Sequence, residues 1–304
     1  MTPFPKLKGL IAAPFTPMKK DGSLNLEAVA PYADKLVAQG IEGAFICGTT
    51  GEGFSMTLAE RKQVAEAWVK AAAGRLKVIV HVGHNCQADA AELAAHAQRC
   101  GAYAIASIAP NFYKPGTVED LVAFFAPVAA AAPKLPFYYY NMPSMSGVSL
   151  PVDRFLHLGA EKMPNLQGVK FTHNNLMEMN QCLHLDGGRF EVLHGFDEIL
   201  LCGLALGVEA AVGSTYNYAG KVYNALLDAF KAGDLDKARS CQEYSVEIVK
   251  VIIKYGGGVR GGKAIMNLLG IPCGACRAPM NAFTDAEYAE LRRDLEAIRF
   301  FEKV

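Results

Sequence analysis

Short runs that are apolar throughout alternate along this chain with longer stretches whose apolar positions recur every three or four residues. The short runs are KGLIAAPF (8–15), GAFICG (43–48), KVIVHVG (77–83), AYAIASIAP (102–110), PFYYYNMP (136–143), LQGVKFT (166–172), FEVLHG (190–195) and VEAAVGS (208–214), eight in all. Between them lie helix-like segments such as LNLEAVAPYADKLVAQG (24–40), TLAERKQVAEAWVKAAAG (57–74) and DAAELAAHAQRCG (89–101). The last two end in glycine, a frequent helix terminator. Strands without polar alternation, each followed by a helix, predict a parallel sheet covered on its outer face. Eight such units in about 210 residues fit a closed (β/α)8 TIM barrel better than an open sheet. After residue 217 the pattern stays helical through GKVYNALLDAFKAG, DLDKARSCQEYSVEIVKVIIKYGG, KAIMNLLG and DAEYAELRRDLEAIRFF. Only the first of these is needed as the eighth barrel helix. The expected organisation is an α/β barrel over 1–232 with a C-terminal helical extension over 233–304 packed on it, forming one structural unit.

Composition narrows the function classes. The 304 residues are 51% hydrophobic, and 30 basic side chains balance 30 acidic ones. No basic face for a phosphate backbone is implied, so nucleic acid is not an expected partner. The N-terminus lacks the pattern of a secretory signal, and no apolar run approaches the roughly 18 residues of a membrane span. A cytoplasmic protein with no membrane partner is expected. Of the eight cysteines, Cys47, Cys86, Cys100, Cys182, Cys202 and Cys241 stand singly and read as buried reduced thiols. Cys273 and Cys276 form a CxxC without further soft ligands at zinc spacing; His81 and His84 are weak candidates, and a loop without metal is the reading adopted.

In a barrel of this kind the chemistry lies at the C-terminal ends of the strands. The second run ends in GTTGEG (48–53), where glycines let backbone N–H groups and the Thr49 and Thr50 hydroxyls converge on an anion. The GK[ST] of a P-loop is missing, and a turn capping the helix after Thr57 explains the motif equally well. The fifth ends in YYYNMP (138–143), where alternation sends Tyr138 and Tyr140 to one side and Tyr139 to the other. The sixth carries Lys170 between Val169 and Phe171. A lysine there either lays its stem on apolar surface or sits desolvated with a depressed pKa. At an unperturbed pKa only roughly one amine in 2,500 is neutral at pH 7; a pKa of roughly 7–8 makes the group a nucleophile for carbonyls. Thr172 points the same way as Lys170. The seventh runs into HGFDEIL (194–200), whose Asp197 and Glu198 equally suit a helix N-terminus. The eighth ends in GSTYN (213–217), whose hydroxyls either cap the next helix or meet a polar ligand. Polar clusters at the C-terminal ends of five different strands are hard to obtain from capping alone.

The ordered set GTTGE, YNMP, GVKFT, GFDE and GSTYN resembles the pyruvate-dependent class I aldolases, the family of N-acetylneuraminate lyase and dihydrodipicolinate synthase, from about residue 7 to about 280. The resemblance implies a (β/α)8 barrel with a C-terminal helical extension, usually a homotetramer, using a Schiff base on Lys170 and no metal or organic cofactor. It implies Tyr140 as the proton-shuttling phenol, Thr172 beside the lysine, and Thr49 and Thr50 as binders of the substrate carboxylate. Two departures oppose the synthase branch: Met145 stands where its arginine is expected, and Phe112 where its intersubunit tyrosine is. GFDE resembles the lyase segment in which Gly195, Asp197 and Glu198 bind the polyol tail of sialic acid, joined by Ser214, with Phe196 replacing a tyrosine. The implied reaction is reversible cleavage of N-acetylneuraminate to N-acetylmannosamine and pyruvate. Alternatives are an aldolase for a shorter 2-keto-3-deoxy sugar acid and a non-catalytic barrel that binds a keto acid.

Overall fold

The computed structural model describes residues 4–304; the first three positions of the expected barrel segment lie outside it. Each apolar run contains one strand: β1 (Gly9–Ala12), β2 (Gly43–Ile46), β3 (Lys77–His81), β4 (Ala104–Ile108), β5 (Phe137–Asn141), β6 (Leu166–Phe171), β7 (Glu191–His194) and β8 (Ala210–Gly213). Every neighbouring pair is parallel, and β8 closes onto β1 to complete the barrel. The helices are α1 (Val29–Ala38), α2 (Leu58–Ala72), α3 (Gln87–Cys100), α4 (Val118–Ala130), a short α5 (Pro143–Ser146), α6 (Val152–Lys162), α7 (Leu176–His184), α8 (Leu200–Ala205) and α9 (Tyr216–Lys231), followed by α10 (Leu235–Lys254), α11 (Gly257–Leu268), α12 (Asp285–Ala297) and α13 (Phe300–Lys303).

Local sequence sets these boundaries. Thr57, Thr117 and Thr284 each accept the N–H three residues on while Glu60, Asp120 and Glu287 reach back, so α2, α4 and α12 begin with capping boxes. α3 ends as expected at Gly101 in the left-handed region, but α2 places Ala73 there, one residue before its glycine.

Period-two alternation builds two cores. Ile11, Phe45, Ile79, Ala106, Tyr138, Tyr140, Leu193 and Val212 fill the barrel interior. Leu10, Ile46, Val80, Tyr139, Val169, Phe171 and Val192 face the helical ring. Tyr138 and Tyr140 therefore point inward and Tyr139 outward, as alternation requires.

Most of the stretch GGGVRGG (256–262), where the sequence reading leaves an interval between KYGG and KAIMNLLG, is the first half of α11. A side chain at Gly262 would place its Cβ 2.6 Å from Phe15 Cζ, so close packing on the barrel favours glycine at that position. Asp197 and Glu198 open a single 3₁₀ turn, Asp197–Ile199, ahead of α8. All eight cysteines are free, but of the six single ones Cys86 and Cys202 are exposed and Cys100 and Cys241 only partly buried, so burial holds for Cys47 and Cys182. A lone cysteine within a helical pattern carries little information about its face. Among the described residues, no helix is long and apolar enough to cross a membrane.

Candidate active site

β6 is buried along its whole length, and it carries Lys170. Val169 and Phe171 occupy the outward positions, so Lys170 is directed into the mouth of the barrel. Its Nζ lies 4.0 Å from the centroid of the Phe45 ring and 4.2 Å from that of Tyr140. Among the described residues no carboxylate forms an ion pair with it. Burial pulls its pKa down to about 7, partly opposed by the charge of Asp197. Roughly half of the amine is then neutral at pH 7.

β5 places Tyr140 directly opposite Lys170 in the strand register. The Tyr140 hydroxyl donates to Met142 Sδ at 2.9 Å and stands 3.3 Å from Thr49 Oγ1. Burial pushes this phenol up to about 12, and the hydroxyls of Thr49 and Thr172 act in the opposite direction. Thr172 Oγ1 is near enough for that influence yet is buried without a hydrogen bond of good geometry. The Tyr140 ring rests edge-on against Phe45 and His81. His81 is buried and donates from Nδ1 to the Cys47 carbonyl, while Nε2 accepts from the Ile108 N–H. Burial and the neighbouring Arg61 hold it well below its ordinary pKa, as a neutral ring that wedges Tyr140 in place. Both ring nitrogens are thereby engaged by the backbone. The cluster with metal-ligand spacing among the described residues is His84, Cys86 and Asp89, which includes neither CxxC cysteine.

Across the mouth, Asp197 is buried, and its Oδ2 accepts from the Thr215 N–H at 2.9 Å and the Thr215 hydroxyl at 2.6 Å. Burial raises this carboxyl to about 6 against those two hydrogen bonds. Its Oδ1 is buried without a partner. Gly213 makes the arrangement possible, because a Cβ there would stand 1.8 Å from Asp197 Oδ1.

All nine residues singled out in the sequence, Thr49, Thr50, Tyr140, Lys170, Thr172, Gly195, Asp197, Glu198 and Ser214, line one cavity of about 290 Å³. Sequence reasoning missed several neighbours. Thr215 was visible within GSTYN, but its grip on Asp197 was not. The Phe45 ring under the lysine carried no polar signal. Val249, Ile252 and Ile253 of α10, with Val259 of α11, form an apolar wall on one side of the mouth. Their helices lie outside the β/α repeat, so strand-end logic does not find them. Chemically, the cavity offers a neutral amine flanked by a phenol, a hydroxyl-rich loop for an anion, and a carboxylate-bearing rim suited to a polyhydroxylated chain.

Fold and site together define a closed β/α barrel with a desolvated lysine at the C-terminal mouth. Residues 6–298 match the profile of the Dihydrodipicolinate synthetase family, and the chain belongs to that family. It is 44% identical over 302 residues, 98% of each chain, to an N-acetylneuraminate lyase of Gallus gallus. Among solved structures it resembles the N-acetylneuraminate lyase of Proteus mirabilis with a TM-score of 0.94 at 42% identity, covering 97% of this chain and 100% of that one. It resembles the N-acetylneuraminate lyase (sialic acid aldolase) of Aliivibrio salmonicida with a TM-score of 0.95 at 40% identity, covering 98% of both.

Proposed function

We propose that this protein is a class I aldolase that reversibly cleaves N-acetylneuraminate to N-acetylmannosamine and pyruvate through a Schiff base on Lys170. The observation that carries the reading is the Lys170 amine, held over two aromatic rings with its pKa near 7 beside the Tyr140 phenol. Full-length similarity to N-acetylneuraminate lyases supports the substrate assignment.

The neutral Lys170 amine attacks C2 of the open-chain keto acid, and the carbinolamine loses water to give an iminium. Removal of the C4 hydroxyl proton forms the aldehyde of N-acetylmannosamine, and the C3–C4 electrons pass to the iminium as an enamine. Protonation at C3 and hydrolysis release pyruvate and restore the amine. The lysine supplies the electron sink, so the expectation of no metal or organic cofactor is retained. Thr49 and Thr50 hold the carboxylate. Thr172 positions the C4 hydroxyl, and the Gly195 carbonyl, Asp197, Glu198 and Ser214 bind the polyol.

A phenol near pKa 12 is a weak base in the free enzyme, and the iminium changes that. A unit positive charge about 4–5 Å away, at an effective dielectric near 20, stabilises phenolate by about 3–4 kcal/mol, roughly two to three pKa units. The permanent charge of the iminium thus favours Tyr140 as the proton relay, through the substrate carboxylate beside Thr49.

The proposal extends to a homotetramer in the cytoplasm. Exposed Phe112 and Tyr113, stacked edge-on at 5.0 Å, support assembly, and the free cysteines suit a reducing compartment. The assay that tests the function compares pyruvate release from N-acetylneuraminate and from 2-keto-3-deoxygluconate. Preferential release from the first is expected. Preference for the second assigns the shorter sugar acid, and saturable binding without turnover of either assigns a binding protein.

A further inference from the structure

The GTTGE loop is held from the far end of the chain. Glu52 has a left-handed backbone, with φ of 53°, an uncommon conformation for a residue with a side chain. Its N–H donates to the Thr49 carbonyl at 3.1 Å, and the Thr16 hydroxyl donates to the Gly51 carbonyl at 2.6 Å. The Glu52 side chain is fully buried. Its Oε1 accepts from Lys263 Nζ of α11 at 2.7 Å, 211 residues away in sequence. Its Oε2 accepts from the Arg277 N–H at 2.8 Å. The Lys263 side chain is only 1% exposed, so both charges are withdrawn from water. The Arg277 guanidinium continues the clasp, donating to the Ser55 and Gly22 carbonyls and pairing with Glu60 at the head of α2.

A buried ion pair is a poor stability device, because desolvation offsets most of the attraction, and well-packed apolar groups serve as well or better. What the pair does supply is one directed geometry. Replacing either partner leaves an uncompensated charge, and without Lys263 the Glu52 carboxylate keeps only the Arg277 N–H. We infer that Lys263 and Glu52 are positioning residues. Through them the C-terminal extension fixes the Thr49–Thr50 turn in the shape that receives the keto-acid carboxylate. This rests on the aldolase reading above and adds to it the part of the chain that sets affinity for the carboxylate.

The test measures the pyruvate concentration that half-saturates borohydride trapping, and separately the KM for N-acetylmannosamine in the synthetic direction. Lys263→Met is expected to raise the half-saturating pyruvate about tenfold, the equivalent of one lost hydrogen bond to a charged group. The KM for N-acetylmannosamine should stay within about twofold, since the polyol rim lies across the mouth. The double variant Glu52→Gln with Lys263→Met removes both charges, relieving the buried unpaired charge, and is expected to regain thermal stability while the pyruvate requirement stays raised. A double variant that recovers stability and wild-type pyruvate affinity together overturns the inference, as does a folded Lys263→Met protein with unchanged pyruvate affinity or with both constants raised equally. If the wild-type protein forms no pyruvate adduct at all, the aldolase reading falls and takes this inference with it.

Discussion

Tyr140 and Lys170 are lateral partners on adjacent parallel strands, and the lysine Nζ lies 4.2 Å from the centroid of the tyrosine ring. One relationship gives the amine its apolar surroundings and places a phenol beside the nitrogen that would carry the charge of the proposed iminium. The mechanism depends on both consequences, and they can be separated by experiment.

The first consequence sets a pH dependence. Lys170 titrates near 7 because burial disfavours its ammonium form. Above that pH the amine is neutral and nucleophilic; below it, the reactive fraction falls about tenfold per pH unit. The rate of imine formation with pyruvate should therefore show an acid limb with an apparent pKa near 7. Pyruvate lacks a polyol, so titration of Asp197 near 6 does not act through tail binding. A rate still climbing from pH 8 to 10 would contradict a desolvated amine.

The same shift has a cost in stability. The folded-state pKa lies below the unfolded value near 10.4, so between about pH 7 and pH 10.4 the unfolded chain binds more protons. Stability contributed by this position rises with pH across that window, and the penalty is fully present below it. Lys170→Met should remove the penalty and stabilise the protein at pH 7 by up to about 4 kcal/mol while abolishing turnover. Thermal melts at pH 7 and pH 10 measure this: the gain should shrink at the higher pH. A variant no more stable than wild type at pH 7 would mean that the ammonium is well solvated.

In the proposed mechanism the second consequence gives Tyr140 the proton transfer. Tyr140→Phe keeps the ring against Lys170, Phe45 and His81 and deletes the hydroxyl. Turnover should fall by roughly 10²–10⁴, the usual worth of a positioned acid or base. Pyruvate should still be trapped on Lys170 by borohydride. Loss of trapping in parallel with turnover would place the hydroxyl in nucleophile formation instead.

Asp197 faces the other side of the cavity, with one oxygen clamped by Thr215 and the other buried and unpartnered. Asp197→Ala is expected to raise the KM for N-acetylneuraminate by about 10–100-fold, as loss of a hydrogen bond to a charged group would. Half-saturating pyruvate should not change. Normal cleavage of N-acetylneuraminate by this variant would remove Asp197 from specificity.

How much of this was legible follows from which signals are local. The strands could be read because a parallel barrel strand, buried on both faces, is an apolar run, and Lys170 stood out as the ammonium within one. Residues at strand ends were legible because a barrel brings them all to one mouth. Phe45 under the lysine looked like ordinary packing, since its role depends on which ring the barrel closure sets beside β6. The Thr215 clamp on Asp197 and the Lys263 pair with Glu52 join segments distant in sequence, and no spacing rule reports such meetings. The start of α11 carried no apolar pattern because it is rich in glycine, and the glycine at Gly262 answers close packing against Phe15, a tertiary fact.

The most direct test is to incubate the protein with pyruvate, add borohydride, and map the modified peptide by mass spectrometry. The account predicts a reduced pyruvyl adduct on the peptide containing Lys170, absent from Lys170→Ala. Folded wild-type protein that gains no adduct, or carries it on another lysine, would contradict the assignment of Lys170 as the Schiff-base residue.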